Sequence, residues 1–142
     1  MSTDLYKLMS WLSPAYPVGA YAFSHGLETA IEQGLVSDEA STQQWIVDIV
    51  QRGNGHADLV FAGSAWEADS DLEQLQNINE FALAFQSTAE LRLESTEQGA
   101  AFASVTAAAW PSPAAILLES LATDELAYPV AVGVTARAHG ID

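Results

Sequence analysis

Apolar residues recur at three- and four-residue intervals along almost the whole chain, and no segment sustains the apolar–polar alternation of a half-buried strand. An all-α fold follows. From Leu27, the residues Ala30, Ile31 and Gly34 fall at i+3, i+4 and i+7, and Gly34 suits a helix stop. Ser41 with Gln44 fits a capping box ahead of the apolar face Trp45, Ile46, Ile49 and Val50, and that helix should end near Gly53-Asn54-Gly55. A further helix carries Leu59, Val60, Ala62, Gly63 and Trp66 as far as the turn Asp69-Ser70-Asp71. Ser70 with Glu73 and Ser87 with Glu90 open the next two, the second running to Ala109. Ser112 and Pro113 suit the cap and first position of another. With an opening helix from Asp4 to Leu12 and a last one from about Thr123, the chain reads as a compact bundle of seven or eight short helices. Pro129 predicts a kink in the last helix. That helix is mostly apolar and reaches Asp142 without a recognised cap, so its face is expected to be covered by something outside the chain.

The 142 residues fit one domain, expected over 1–142. Apolar types make up 49% and charged types 16%, which is far from the composition of a disordered chain. The formal charge of −15 opposes binding to phosphate backbones, so nucleic acid is not an expected partner. The chain has no cysteine, which removes thiolate metal sites and cysteine nucleophiles. The opening residues lack a cationic stretch followed by a long apolar one, so a secretory signal is not expected, and the alanine-rich stretch from Ala100 to Leu118 is broken by Pro111 and Pro113. The expectation is a cytoplasmic protein that does not enter membranes.

Catalytic patterns are missing in the same way. There is neither a G-x-x-x-x-G-K-[ST] loop nor a G-x-S-x-G elbow, and Lys7 is the single lysine, so the chain is not expected to be an enzyme. The weak metal candidates are His25, His56 and His139. None of them forms the H-x-x-x-H pair that brings two imidazoles to one ion. The acids Glu67, Asp69, Asp71 and Glu73 read either as a solvated turn or as a landing patch for a basic partner. Arg92 has Glu90 and Glu94 off its own face, so its partner comes from another element or from another protein. The run Ser13-Pro14-Ala15-Tyr16-Pro17-Val18-Gly19 stops the first helix. It positions Tyr21 and Phe23 either in the core or before a partner.

Three stretches carry a resemblance. The first runs from Leu12-Ser13-Pro14-Ala15-Tyr16-Pro17-Val18-Gly19-Ala20-Tyr21 through Phe23-Ser24-His25-Gly26-Leu27-Glu28-Thr29-Ala30 to Gly34-Leu35-Val36. The second is Glu90-Leu91-Arg92-Leu93-Glu94-Ser95-Thr96-Glu97-Gln98-Gly99. The third is Tyr128-Pro129-Val130-Ala131-Val132-Gly133 with Ala138-His139-Gly140-Ile141. In this order they resemble the urease accessory protein family UreF. The resemblance implies an all-α homodimer that bridges accessory protein UreD, also called UreH, to the GTPase UreG and helps load nickel into the urease apoprotein. It implies no cofactor, and partner contacts at Tyr21, Phe23, Glu28, Arg92, Glu94 and His139. Arg92 and Glu94, carried over from the second stretch, are the candidates for modulating GTP hydrolysis. Family members continue beyond the His-Gly-Ile segment, so the C-terminal helices and tail are expected to be lacking here. The alternative reading is a small nickel carrier using His25, His56 or His139.

Overall fold

The computed structural model describes residues 3–20, 24–122 and 125–142, and Tyr21 and Phe23 lie outside them. Among the described residues there are eight helices and no strand, as the spacing predicts. They are α1 (Thr3–Trp11), α2 (Leu27–Glu32), α3 (Glu39–Arg52), α4 (Asn54–Ala68), α5 (Leu72–Ala84), α6 (Ala89–Ala109), α7 (Ala114–Leu121) and α8 (Tyr128–Ala138).

Local hydrogen bonding decides where each helix starts, and it shifts several expected boundaries. The capping box of α3 is Asp38 with Ser41, not Ser41 with Gln44. The Asp38 carboxylate accepts from the Ser41 N–H at 2.8 Å, and Ser41 Oγ accepts from the Asp38 N–H at 3.1 Å. The Ser41 hydroxyl also donates to Asp38 Oδ1 at 2.6 Å, and that bond, followed by the one from the Ser41 N–H, holds the Asp38 carboxyl below its ordinary pKa. In α5 the cap is Asp71, which accepts from the Gln74 N–H, and in α6 it is Thr88, which accepts from the Leu91 N–H. Each lies one residue after the serine expected, because two adjacent side chains can cap and packing chooses between them. Ser112 does not cap α7, where Pro113 takes the N-cap place without a side-chain bond.

The last helix departs furthest from expectation. It begins at Tyr128 rather than Thr123, which places Pro129 in its first turn, where no N–H is needed, and the expected kink does not arise. It also ends in a defined cap. Gly140 adopts φ 67°, its N–H donates to the Arg137 carbonyl at 3.0 Å, and the Ile141 N–H donates to the Ala136 carbonyl at 3.0 Å, which is a Schellman motif. Far from waiting for an outside cover, α8 is the centre of the bundle. It packs on α4, α5, α6 and α7, and Val130, Ala131, Gly133, Val134 and Thr135 are all buried.

Small residues make that position possible. A Cβ added at Gly133 would meet the Ala62 carbonyl oxygen of α4 at 2.2 Å, and one added at Gly99 would meet the Leu126 carbonyl oxygen at 2.1 Å. Backbone therefore touches backbone at both crossings. The chain entering α8 is fixed by Asn79, whose Nδ2 donates to the Glu125 carbonyl and whose Oδ1 accepts from the Ala127 N–H, both at 2.8 Å. Its far end is tied to α4, since Trp66 Nε1 donates to the Ile141 carbonyl and the Arg137 guanidinium lies 4.5 Å over the Trp66 ring. Beside α6, the buried Trp11 meets Phe102 and Trp110 edge-on, and Tyr16 of the proline-rich loop bonds Thr106 through its hydroxyl at 2.9 Å.

Two glycine substitutions separate packing from propensity. Gly133→Ala should destabilise the fold by about 2 kcal/mol or more, because α4 and α8 must move apart. Gly63→Ala adds a methyl on α4 where no atom lies within 4 Å. It should be neutral or stabilise by up to about 1 kcal/mol. Urea unfolding of both variants checks the pair, and equal effects would refute the close-approach argument.

Candidate functional site

The inward stripe of α6 changes character along its length. Leu91, Glu94, Ser95 and Gln98 fall at i, i+3, i+4 and i+7, and the same face continues with Gly99, Phe102 and Thr106. Its second half fills the core. Its first half, buried but polar, forms one wall of a small cavity of about 30 Å³, large enough for a water molecule. His25, Asn54 and Asp58 close it from the side of α2 and α4, and Tyr128 closes it from α8.

Glu94 organises the cavity. Its carboxylate accepts from Gln98 Nε2 at 3.1 Å and lies 3.8 Å from His25 Nε2. The Ser95 hydroxyl accepts the Tyr128 N–H at 3.2 Å, joining the first turn of α8 to α6. His25 adopts φ 50°, and Gly26, the N-cap of α2, follows at φ 77°. The left-handed backbone of His25 is strained for a residue with a Cβ, while Gly26 adopts it freely, and together they carry the imidazole toward Glu94. Burial pushes the Asp58 carboxyl up to about 6. The charge of Glu94 adds to the rise, and that of His25 opposes it. Burial also raises Tyr128, with Asp58 and Tyr16 adding to it. Two carboxyls and one imidazole around a single cavity can pass and hold a proton, or receive hydrogen-bond donors from a bound group.

The expected residues are distributed unevenly around this cavity. His25 and Glu94 meet there. Arg92 points elsewhere: its Nε donates to Glu125 Oε2 at 3.0 Å, in an ion pair with the segment before α8 that is partly open to solvent. Its partner thus comes from another element of the same chain. Glu28 stands exposed in the first turn of α2, and His56 is exposed on α4. His139 is part-buried, with its Nε2 bonded to the Trp110 carbonyl at 3.2 Å and its ring centroid 5.1 Å from that of Trp11. The three imidazoles therefore occupy three different settings. Among the described residues no group of three or more His, Cys, Asp or Glu side chains is placed to hold a metal ion. Of the acids at the α4–α5 turn, Asp69 pairs with Arg137 at 3.2 Å and Asp71 caps α5. Asp58, Gln98 and Tyr128 were not expected at a site. The readable signal was the run of polar residues at inward positions of α6, which calls for polar neighbours.

The family model described as UreF matches residues 36–142. The chain belongs to the UreF family. It is 45% identical over 140 residues to the urease accessory protein UreF of Methylorubrum populi, covering 97% of this chain and 62% of that protein. It is 48% identical over 140 residues to the protein of the same name from Methylobacterium radiotolerans, covering 97% and 61%, and 47% identical over 138 residues to that of Ruegeria pomeroyi, covering 97% and 59%. The chain thus spans about three-fifths of the length of these curated UreF relatives. Asp58, Arg92, Glu94 and Tyr128 lie within the UreF match, and His25 and Glu28 precede it. No helix among the described residues is long and apolar enough to cross a membrane.

The raised Asp58 sets a pH dependence. Between its ordinary value of 3.8 and about 6, the folded state holds a proton that the unfolded state has released, so this group's contribution to stability falls as pH rises through that window. His139 acts oppositely. Burial, then Lys7, holds it below 6.5, so its protonation costs stability as pH falls. Comparing Asp58→Asn with the parent chain isolates the carboxyl. The variant should be more stable at pH 7 by about 1 kcal/mol, after allowance for solvent screening, and unchanged at about pH 4. Thermal melts at the two pH values check this, and an equal gain at both would place the effect elsewhere.

Proposed function

We propose that this chain is an adaptor in urease maturation, a cytoplasmic homodimer that joins accessory protein UreD, also called UreH, to the GTPase UreG while nickel is loaded into the urease apoprotein. The observation that carries this reading is family membership, with relatives named urease accessory protein UreF aligned over nearly the whole chain. The sequence supports it as well. No phosphate-binding loop occurs in these residues, so the nucleotide chemistry belongs to the GTPase and this chain contributes surface. On this reading nickel is cargo. The carrier alternative needs convergent imidazoles, and the differing settings of His25, His56 and His139 give it no support.

Arg92 is the group proposed to modulate GTP hydrolysis, because its guanidinium is half open to solvent and held by one carboxylate. Glu94, buried in the cavity, acts by positioning the loop that carries His25. Of the expected partner contacts, Glu28 is exposed on α2, Tyr21 and Phe23 precede that helix in the sequence, and His139 packs against Trp11 of α1.

Size-exclusion chromatography of the chain mixed with UreD and UreG tests the adaptor role. The expected result is one species containing all three, and failure to co-elute with UreD would remove the reading. Arg92→Ala tests the finer claim. Loss of a solvent-open ion pair should shift stability by less than about 1 kcal/mol. GTP turnover by UreG in the complex should change nonetheless. Unchanged turnover with a lowered Tm would make the Arg92–Glu125 pair purely structural.

A further inference from the structure

The two helices of the α4–α5 hairpin leave an apolar groove between them on the outer face of the bundle, with a volume of about 300 Å³. Val60, Phe61 and Ser64 form one wall, and Asn77, Ile78 and Phe81 form the other. Phe61, Phe81 and Phe85 make a three-ring cluster with centroids 5.7 to 6.3 Å apart and edge-on contacts. Only Phe61 is buried. Phe81 is 63% exposed, Phe85 54% and Val60 53%. A contiguous aromatic patch of this kind in open solvent marks an interaction surface.

Charge says what kind of partner it takes. From Gly53 to Leu91 the chain contains no lysine or arginine, while Glu67, Glu73 and Glu80 stand exposed. Val60, Ser64 and Glu67 fall at i, i+4 and i+7 on α4, and Glu73, Asn77 and Glu80 do so on α5. Glu67 therefore continues the α4 wall and Glu73 adjoins the α5 wall, whereas Glu80 turns toward the neighbouring pocket that Arg92 also lines. Among the described residues none of the three glutamates is in an ion pair. A second copy of the chain would bring acid against acid, and at a charge of −15 it is a poor occupant.

We propose that the α4–α5 groove, lined by Phe61 and Phe81 with Phe85 packed against both, docks an amphipathic helix of a basic partner protein. Apolar side chains at i, i+3, i+4 and i+7 fill the groove, and lysines or arginines flanking them meet Glu67 and Glu73. The inference rests on the adaptor reading for the occupant being a protein, and it assigns that partner a place and a chemistry. Steering by the glutamates speeds encounter and weakens with salt, while the phenylalanines set how long the complex lasts.

The probe is a helical peptide of about 18 residues, five turns, with leucine on one face and lysine elsewhere, beside a copy with glutamate replacing every lysine. Binding to the full 142-residue chain is read by fluorescence anisotropy and by amide shifts of the isotope-labelled protein. The lysine peptide should bind and move the amides of Val60, Ser64, Phe81 and Phe85, and the glutamate peptide should not bind. Phe81→Ser with Phe85→Ser should weaken binding by about tenfold or more. Glu67→Gln with Glu73→Gln should weaken it several-fold and flatten its dependence on salt between about 50 and 500 mM. The glutamine variant alters only exposed side chains, so it carries the test if the serine variant loses helicity. Absence of binding, shifts confined to another face, equal binding of the glutamate peptide, or indifference to the glutamine changes would each overturn the proposal. So would a concentration-dependent dimer, seen by sedimentation, that the serine variant abolishes, since the groove would then hold a second copy. Loss of co-elution with UreD and UreG with peptide binding intact would remove the adaptor reading and leave the groove standing.

Discussion

The fold depends on how closely α8 approaches its neighbours. At Gly133 the backbone of α8 lies against the Ala62 carbonyl, and at Gly99 the backbone of α6 lies against the Leu126 carbonyl. Neither contact tolerates a methyl group, so backbone sterics set how closely these elements approach. Asp58 sits near Tyr128, Ala62 touches Gly133, and Asp69 pairs with Arg137, which means that α4 and α8 run side by side in the same direction. Two parallel helices need a long return path between them, and α5, α6 and α7 supply it while covering the remaining faces of α8.

The polar cavity follows from that arrangement. Asp58, Ala62 and Ala65 occupy one stripe of α4 at i, i+4 and i+7, so the stripe that receives Gly133 also carries a carboxyl at its beginning. On α6 the inward stripe is likewise polar at the start and apolar later. The two polar beginnings meet near the first turn of α8, and Glu94 and Asp58 come to share a space that water reaches poorly. Ser95, bonded to the Tyr128 N–H, fixes that end as firmly as Trp66 fixes the other. The cavity is thus the polar end of the same contact that forms the core.

Much of this was legible in the sequence. Helical periodicity gave the class, and Gly34 marked a Schellman stop, with the Leu35 N–H reaching the Ala30 carbonyl at 2.9 Å. Caps were legible to within one to three residues, because Asp38, Ser41, Ser70 and Asp71 all accept hydrogen bonds well and only packing ranks them. The role of α8 was not legible. Val130, Val134 and Ala138 look alike whether a helix is central or awaits a partner, and the decisive partner, the Ala62 carbonyl, is backbone and leaves no pattern. Arg92 and Glu125 are separated by 33 positions, and no local rule pairs them. Asn79 could have been noticed as a polar residue on the apolar stripe of Leu75, Ile78 and Ala82. That it receives the chain entering α8 could not.

Helix α4 shows how one element serves two kinds of surface. Its stripe toward α8 carries Asp58, Ala62 and Ala65, so any shift of α8 changes the surroundings of a carboxyl that titrates near pH 6. The stripe toward α5 carries Val60, Ser64 and Glu67 and faces solvent. A bound partner that pressed on the second stripe would transmit force to the first only through a rigid helix whose far side is locked against backbone. Gly133 leaves no slack for α4 to roll. Pressure on the outer face is therefore passed by α4 as a unit to its contact with α8 and to the inner cavity. A second connection runs through the end of the helix, where Trp66, Arg137 and Asp69 join α4 to α8.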